Sequence, residues 1–148
     1  MKSRFSSTMV VIFWGVVLCL TACGEWELSG RERKGVLSFS EGITDNLFAG
    51  LAVDDYQLFS RDFDEHLQKV LPDARFVAWK VDIDEKFGDC LSREVVRVIR
   101  SDEFYVVTYQ VKFSKAPHVT VEVAFHAMKP HTISAFSFDS ELLTLSSE

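Results

Sequence analysis

The chain has 148 residues, and its 22 acidic and 16 basic side chains give it a formal net charge of −6 at pH 7. An acidic protein repels the phosphate backbone of nucleic acids, so the composition argues against DNA or RNA as a partner. The length is that of one domain with a single modest hydrophobic core.

The amino-terminal residues have the composition of a secretory signal. Lys2 and Arg4 precede an uncharged, apolar run of twelve residues from Met9 to Leu20. A membrane-spanning helix needs about 20 apolar residues, so this run is short for a span and typical of a signal core. Residues 1–22 are therefore predicted to be a cleaved signal peptide.

The residues at the end of this core resemble the lipobox of bacterial lipoproteins, in which a leucine and small residues precede a cysteine. The matching segment is Leu20-Thr21-Ala22-Cys23. The resemblance implies that Cys23 takes a diacylglyceryl group, that a peptidase cuts after Ala22, and that the new amino terminus is acylated, for example with palmitate. Two or more acyl chains hold a protein stably on a bilayer. The alternative is an ordinary signal peptide cut nearby, with Cys23 left as a free thiol.

Gly24 follows Cys23, in place of the aspartate that tends to retain lipoproteins in the inner membrane of bacteria with two membranes. The resemblance therefore implies a place in the cell envelope, at the outer membrane facing the periplasm if the source has one. Removing 22 of the 148 residues leaves 126, and 14 basic against 22 acidic side chains give the mature chain a net charge of −8. Cys90 is then left without a disulfide partner, and we interpret it as a small apolar filler.

Residues 23–35 are predicted to be a lipidated cysteine and a flexible tether, because the segment is polar, bounded by glycines and without periodicity. A flexible chain of this length spans about 20 Å, which keeps the domain close to the lipid surface. Arg31, Arg33 and Lys34 could contact anionic headgroups there, with a solvated linker as the alternative interpretation.

Three helices are predicted in the first part of a domain that comprises residues 36–140. A capping box at Ser38–Glu41 indicates the start of the first helix, which extends from about Phe39 to Ala52. Asp54–Asp55 can cap a second, shorter helix. Pro72 is predicted to end the third, because proline lacks an amide hydrogen and clashes with the preceding turn.

Residues 76–87 fit both an alternating strand and a helical stripe that Gly88 would end. Four strands linked by short connections are predicted after them, over residues 91–100, 104–113, 119–127 and 132–138. Residues 141–148 are predicted to be a tail. Helices followed by hairpin-linked strands indicate the α+β class.

Parts of the chain resemble a family of bacterial and archaeal domains of unknown function in the nuclear-transport-factor-2-like, or cystatin-like, group. The matching segments are residues 45–51, 55–56, 59–64, 87–88 and 133–138. The resemblance covers about residues 39–139. It implies a cone in which N-terminal helices pack on a curved, four-stranded antiparallel sheet, and it favours a helix for residues 76–87.

In relatives with this fold, the mouth of the cone often holds a ligand among apolar and aromatic side chains. The residues predicted to line such a pocket, with a filled core as the alternative for each, are Phe48, Tyr56, Phe59, Phe63, Trp79, Tyr105, Tyr109 and Phe125. Some relatives are isomerases, hydratases or dehydratases that use an Asp, His or Tyr as acid or base. Here Tyr105 and Tyr109 share the inward face of the strands without an Asp or His. Asp62 and Asp64 are assigned solvated or capping roles.

Metal sites are not predicted. Glu122 and His126 share a strand face but lie about 13 Å apart, and His131 could pair with His126 across a turn but has no evident third ligand. The segment Asp82–Glu85 begins like a calcium loop, but the glycine and glutamate that such a loop requires are replaced. The sequence therefore predicts no metal, no cofactor and no catalytic residue.

Three hypotheses for function follow. The first is a non-catalytic envelope lipoprotein whose domain binds a small apolar ligand or a protein partner. The second is a lipid-tethered enzyme of the isomerase or dehydratase kind that uses Tyr105 or Tyr109. The third is a structural module that forms a homodimer through the open face of the sheet.

Overall fold

The computed structural model describes residues 24–140. The predicted signal peptide (residues 1–22), Cys23 and the predicted tail (residues 141–148) lie outside the described residues. In the described residues, four consecutive helices are followed by four consecutive strands, with one two-residue strand before the helices, and this order confirms the α+β class. The elements in chain order are β1 (Trp26–Glu27), α1 (Gly30–Ala52), α2 (Tyr56–Phe59), α3 (Glu65–Val70), α4 (Asp73–Lys86), β2 (Cys90–Arg100), β3 (Phe104–Phe113), β4 (Val119–His126) and β5 (Ile133–Ser140).

The strands form an antiparallel sheet in the order β1-β2-β3-β4-β5, so each strand pairs with its neighbour in sequence. Alternation along β4 buries Val119, Val121, Val123 and Phe125 completely, and the helices pack against this face. The prediction of four strands is wrong, because β1 adds a fifth at the edge of β2. A strand of two residues is too short for alternation to reveal.

The prediction of a flexible tether over residues 23–35 is also wrong for its described part. Helix α1 begins at Gly30, nine residues before Phe39, and Leu28 is buried between β1 and the helix. The predicted capping box lies inside the helix, where the Ser38 hydroxyl donates to the Gly35 carbonyl. Burial of Leu28 and of Val36 stabilises this part of the chain although its glycines disfavour a helix.

Helix α4 confirms the helical interpretation of residues 76–87. Phe76 and Ile83 are buried on one face, and Gly88 ends the helix with a φ of +73°. Pro72 occupies the N-cap position of α4 and follows α3, which ends at Val70. Periodicity was ambiguous because the alternating valines of this segment are exposed on the outer side of the helix.

The interpretation of Cys90 as a core filler is wrong, because the residue lies exposed at the start of β2. Partial burial of its thiol raises the pKa of Cys90, and the nearby Arg93 offsets this only in part. The reactive thiolate is therefore scarce at neutral pH.

Helices α1 and α2 lie close together at Gly50. A Cβ atom added to Gly50 would lie 2.2 Å from the backbone nitrogen of Phe59. Phe59 is itself buried at the centre of an aromatic cluster, so neither helix can move away without opening the core. The absence of a side chain at position 50 is therefore required by packing.

We expect Gly50→Ala to lower the free energy of unfolding by about 2 kcal/mol or more, because overpacking outweighs the gain in helix propensity. Gly42→Ala in the same helix is the matched control, since a Cβ there meets no atom within 4 Å. It should raise the free energy of unfolding by up to about 1 kcal/mol. Urea denaturation followed by circular dichroism measures both, and equal effects at the two positions would contradict the prediction.

Candidate functional site

The aromatic residues predicted to line a pocket occupy the core and its edges. Five of them are at most 7% exposed: Phe48, Phe59, Phe63, Tyr109 and Phe125. The other three are partly buried and pack against that core: Tyr56, Trp79 and Tyr105. Phe59 contacts both Phe63 and Trp79, whereas Tyr105 lies near Phe39 at the other end of the sheet. The eight residues therefore do not form one lining.

Tyr109 belongs to a buried polar cluster beneath α1. Its hydroxyl donates to Glu41 Oε1 at 2.8 Å and accepts a hydrogen bond from the Thr44 hydroxyl at 3.1 Å. Burial raises the pKa of Tyr109, Thr44 offsets this in part, and the Glu41 carboxylate raises it further. Arg93 pairs with Asp45 at 2.6 Å and neutralises charge at the same helix face. The phenol therefore stays protonated, and its hydrogen is engaged in the hydrogen bond to Glu41.

Asp64 has the capping role that the sequence predicts. Its Oδ1 atom accepts the Leu67 amide of α3 at 2.7 Å, and its Oδ2 atom lies 2.8 Å from His126 Nε2. Partial burial alone would raise the pKa of Asp64, but the hydrogen bonds from Leu67 and His126 outweigh it and lower the pKa below its ordinary value. Asp62 accepts a hydrogen bond from the Asn46 side chain at 2.9 Å.

An open cavity of about 470 Å³ lies between the first half of α1 and the end of the sheet at which β1, β2 and β3 meet. Its lining is partly apolar and partly charged, and consists of Leu28, Glu32, Gly35, Val36, Ser38, Phe39, Arg100, Tyr105, Lys129 and His131. Among these, the sequence predicted only Tyr105. The short turn at residues 101–103 is a sequence signal that could have indicated Arg100. A tight hairpin at this turn places Arg100 opposite Tyr105, which the sequence already predicted to face inward.

Arg100 is the central charged group of this cavity. It pairs across the sheet with Trp26 of β1 and with Tyr105 of β3, so the three side chains share one face. Its guanidinium carbon lies 5.7 Å from the Trp26 ring centre and 5.6 Å from that of Tyr105, which are cation–π contacts. Within residues 24–140, Arg100 has no carboxylate partner, and its buried Nε atom has no hydrogen-bond acceptor.

His131 forms the opposite wall of the cavity. Its ring stacks on Phe39 with the centres 3.9 Å apart, and its Nδ1 atom lies 2.9 Å from the His126 carbonyl oxygen. A carbonyl oxygen only accepts, so Nδ1 carries a proton and Nε2 remains for a ligand. Lys129 is exposed two residues earlier, and Glu32 is the acidic group of the described lining.

A second, more open groove of about 490 Å³ lies between α3, α4 and β5. Its walls are mostly apolar and include Leu67, Trp79 and Phe136, with Arg75 and Asp82 as its charged members. Trp79 is therefore the member of the predicted set that borders this groove. Among the residues that the structure describes, the lining of this groove shows no convergence of polar groups comparable to that around Arg100.

In the part of the chain that the structure describes, no helix is both long enough and apolar enough to cross a bilayer. Residues 24–140 also contain no group of three or more His, Cys, Asp or Glu side chains that could hold a metal ion. The chain matches no protein-family model, no curated protein and no solved structure.

We expect Tyr109→Phe to lower the free energy of unfolding by about 1–2 kcal/mol, because a buried hydrogen bond to a charged group is lost. Tyr105→Phe is the matched control, since its hydroxyl borders an open cavity, and it should change stability by less than about 0.5 kcal/mol. Chemical denaturation measures both variants. A loss at position 105 as large as that at position 109 would contradict the assigned roles.

We expect Asp64→Ala to lower the free energy of unfolding by about 1 kcal/mol at pH 7, through loss of the helix cap. Because the native pKa of Asp64 is lowered, its ionised form stabilises the fold above the unfolded pKa of about 4, and this contribution is lost as the pH falls through the native pKa. The difference from wild type should therefore shrink below pH 4.

The control for this prediction is Asp55→Ala, which removes an exposed cap from the four-residue helix α2. Its effect at pH 7 should be smaller, because only one short turn depends on it. Thermal unfolding between pH 3 and pH 7 compares the two variants. A gap between wild type and Asp64→Ala that widens toward low pH would contradict the assignment.

Proposed function

We propose that this protein is a lipoprotein of the bacterial cell envelope, anchored through lipid on Cys23, whose domain binds a small ligand without catalysing a reaction. The observation that carries the proposal is the cavity beside Arg100, where a cation in contact with two aromatic rings, and without a carboxylate partner in residues 24–140, faces aromatic and apolar walls. Such a mixture of apolar surface and a few oriented polar groups is typical of small-molecule sites.

The lipobox-like segment before Gly24 supports the anchor, and the fold supports its proximity to the cavity. Strand β1 begins at Trp26, three residues after Cys23, and an extended chain of that length reaches about 11 Å. Trp26 is also one of the two rings that hold Arg100. A lipid on Cys23 would therefore hold the cavity next to the membrane surface, at the outer membrane if the source has two.

The hydrogen bonds of Tyr109 support a binding role over catalysis, because its proton is engaged by Glu41 and burial raises its pKa. The alternative is an isomerase- or dehydratase-like enzyme. The presence of Tyr105 and His131 in one cavity favours this alternative, since they could act as donor and base. Turnover of a ligand recovered from the protein would distinguish the two functions.

We further propose that the helices and the sheet form a cone of the cystatin-like kind. Phe59 of α2 packs against Phe136, and Phe87 at the C-terminal end of α4 packs against Phe113, on one face of the antiparallel sheet, which supports this shape. Register shifts in β2, at Cys90/Ser92 and Val95/Arg97, also support it, because bulges bend a sheet.

The anchor is tested by the intact mass of the protein purified from its own membranes. We expect the chain to begin at Cys23 and to exceed the polypeptide mass by the acyl groups, whereas Cys23→Ser should carry no lipid. A wild-type product with the mass of bare polypeptide would overturn the anchor.

Ligand binding is tested by native mass spectrometry of the same preparation. We expect a co-purified small molecule on the wild type and its loss when Tyr105→Trp fills the cavity. Val96→Trp is the matched control, because Val96 is exposed on β2 and does not line the cavity. A wild-type protein without an adduct would overturn the binding function.

A further inference from the structure

The cavity concentrates positive charge in an otherwise acidic domain. Its described lining holds Arg100 and Lys129 against a single carboxylate, Glu32. Outside the lining, exposed charges of both signs lie at this end of the domain, with Arg31 and Lys34 in the first turns of α1 and Asp102 and Glu103 in the turn after Arg100. The mature chain as a whole carries 22 acidic and 14 basic side chains, so the described lining of the cavity differs in sign from the chain average.

We propose that the cavity binds the phosphate or carboxylate group of an amphiphile, with Arg100 as its central contact. This inference rests on the ligand-binding function proposed above and names the chemical class of the ligand. The anionic group would lie between Arg100 and Lys129, and the apolar part would lie on Phe39 and Val36.

The surroundings of Arg100 leave its hydrogen-bonding edge for a ligand. Strands β1 and β3 flank β2 on opposite sides, so the rings of Trp26 and Tyr105 lie on either side of the guanidinium group. Donors of a guanidinium lie in its plane and match the paired oxygens of a carboxylate or phosphate. The Nε donor is buried out of reach of a ligand, so the terminal Nη donors are the ones that would contact the anion.

The other charged groups narrow the ligand class further. Lys129 is a flexible point charge at the rim, suited to a phosphate oxygen. The Glu32 carboxylate repels an anionic ligand. A hydroxyl or amine donor on the same ligand would offset this repulsion by donating a hydrogen bond to Glu32. The shared chemistry is thus an anionic group next to a donor and an apolar part, which either a membrane lipid or a soluble amphiphile could supply.

The experiment uses the mature protein purified from its own membranes in a neutral detergent. Equal amounts of a phosphatidylglycerol and of a diacylglycerol with the same acyl chains, which lacks an anionic group, are added, and bound lipid is read by native mass spectrometry. We expect phosphatidylglycerol to be retained roughly tenfold over the diacylglycerol, since a charge-assisted hydrogen bond gives about that factor. In Arg100→Gln, the ratio between the two retained lipids should fall to about one.

Arg97→Gln is the matched control, because Arg97 lies on the same strand but pairs with Glu122 and does not line the cavity. It should keep the full preference. Lys129→Gln is a second variant, whose exposed position in a turn leaves the sheet intact, and it should reduce the preference severalfold. Circular dichroism of every variant establishes that it is folded.

Competition identifies the source of the anion. Displacement of phosphatidylglycerol by millimolar inorganic phosphate would support a soluble anionic ligand, and resistance to it would support a lipid headgroup. Equal retention of the two lipids, or equal preferences in folded Arg100→Gln and Arg97→Gln, would overturn the inference. If the wild type still carries its native adduct, the proposed function survives that result. A protein with neither an acyl anchor nor an adduct would instead overturn the proposed function.

Discussion

Pairing between the short strand β1 and the end of β2 determines how the amino-terminal part of this protein is arranged. The Leu28 amide donates to the Val98 carbonyl at 2.8 Å, and Trp26 lies opposite Arg100. These contacts bury Leu28 and set the direction in which α1 leaves the sheet. Without these contacts, the first turns of α1 would lose the packing of Leu28 beside them. The cavity beside Arg100 would also lose the Trp26 ring that contacts the guanidinium group.

The helix that β1 positions is attached to the sheet by polar as well as apolar contacts. Thr44 and Tyr109 are fully buried, and the tyrosine hydroxyl connects them to Glu41 at the helix surface. Arg93 extends this network from β2 and lies over the rings of Phe48 and Tyr109. Buried hydrogen bonds of this kind specify one docking position for a helix, because any shift leaves polar groups unsatisfied. The polar network therefore supports the shape of the cavity, whose lining lies in the preceding turns of α1.

Local patterns in the sequence were sufficient for most of the regular structure. Strand β3 has the predicted bounds, Phe104–Phe113, because tyrosine and valine alternate without interruption between two turns. Asp55 and Asp64 cap helices because short carboxylates accept amide protons within the next three residues. Only the resemblance to a known fold favoured a helix for α4, since its exposed valines mimic a strand. For the candidate site, the sequence indicated Tyr105, whose inward position follows from the same alternation.

Contacts between distant residues decided the rest. The segment from Gly24 to Gly35 has no periodicity of its own, and it is ordered because Leu28 and Arg33 contact β2, more than sixty residues away. The cavity likewise forms only where α1, the Arg100–Tyr105 hairpin and the turn at His131 contact one another. No local sequence pattern predicts such contacts between distant segments. The sequence by itself thus determined the class of fold, the caps and the inward faces, because these depend on neighbours along the chain. Tertiary structure alone decided where the helix begins and which charges share a cavity, because those depend on burial between segments.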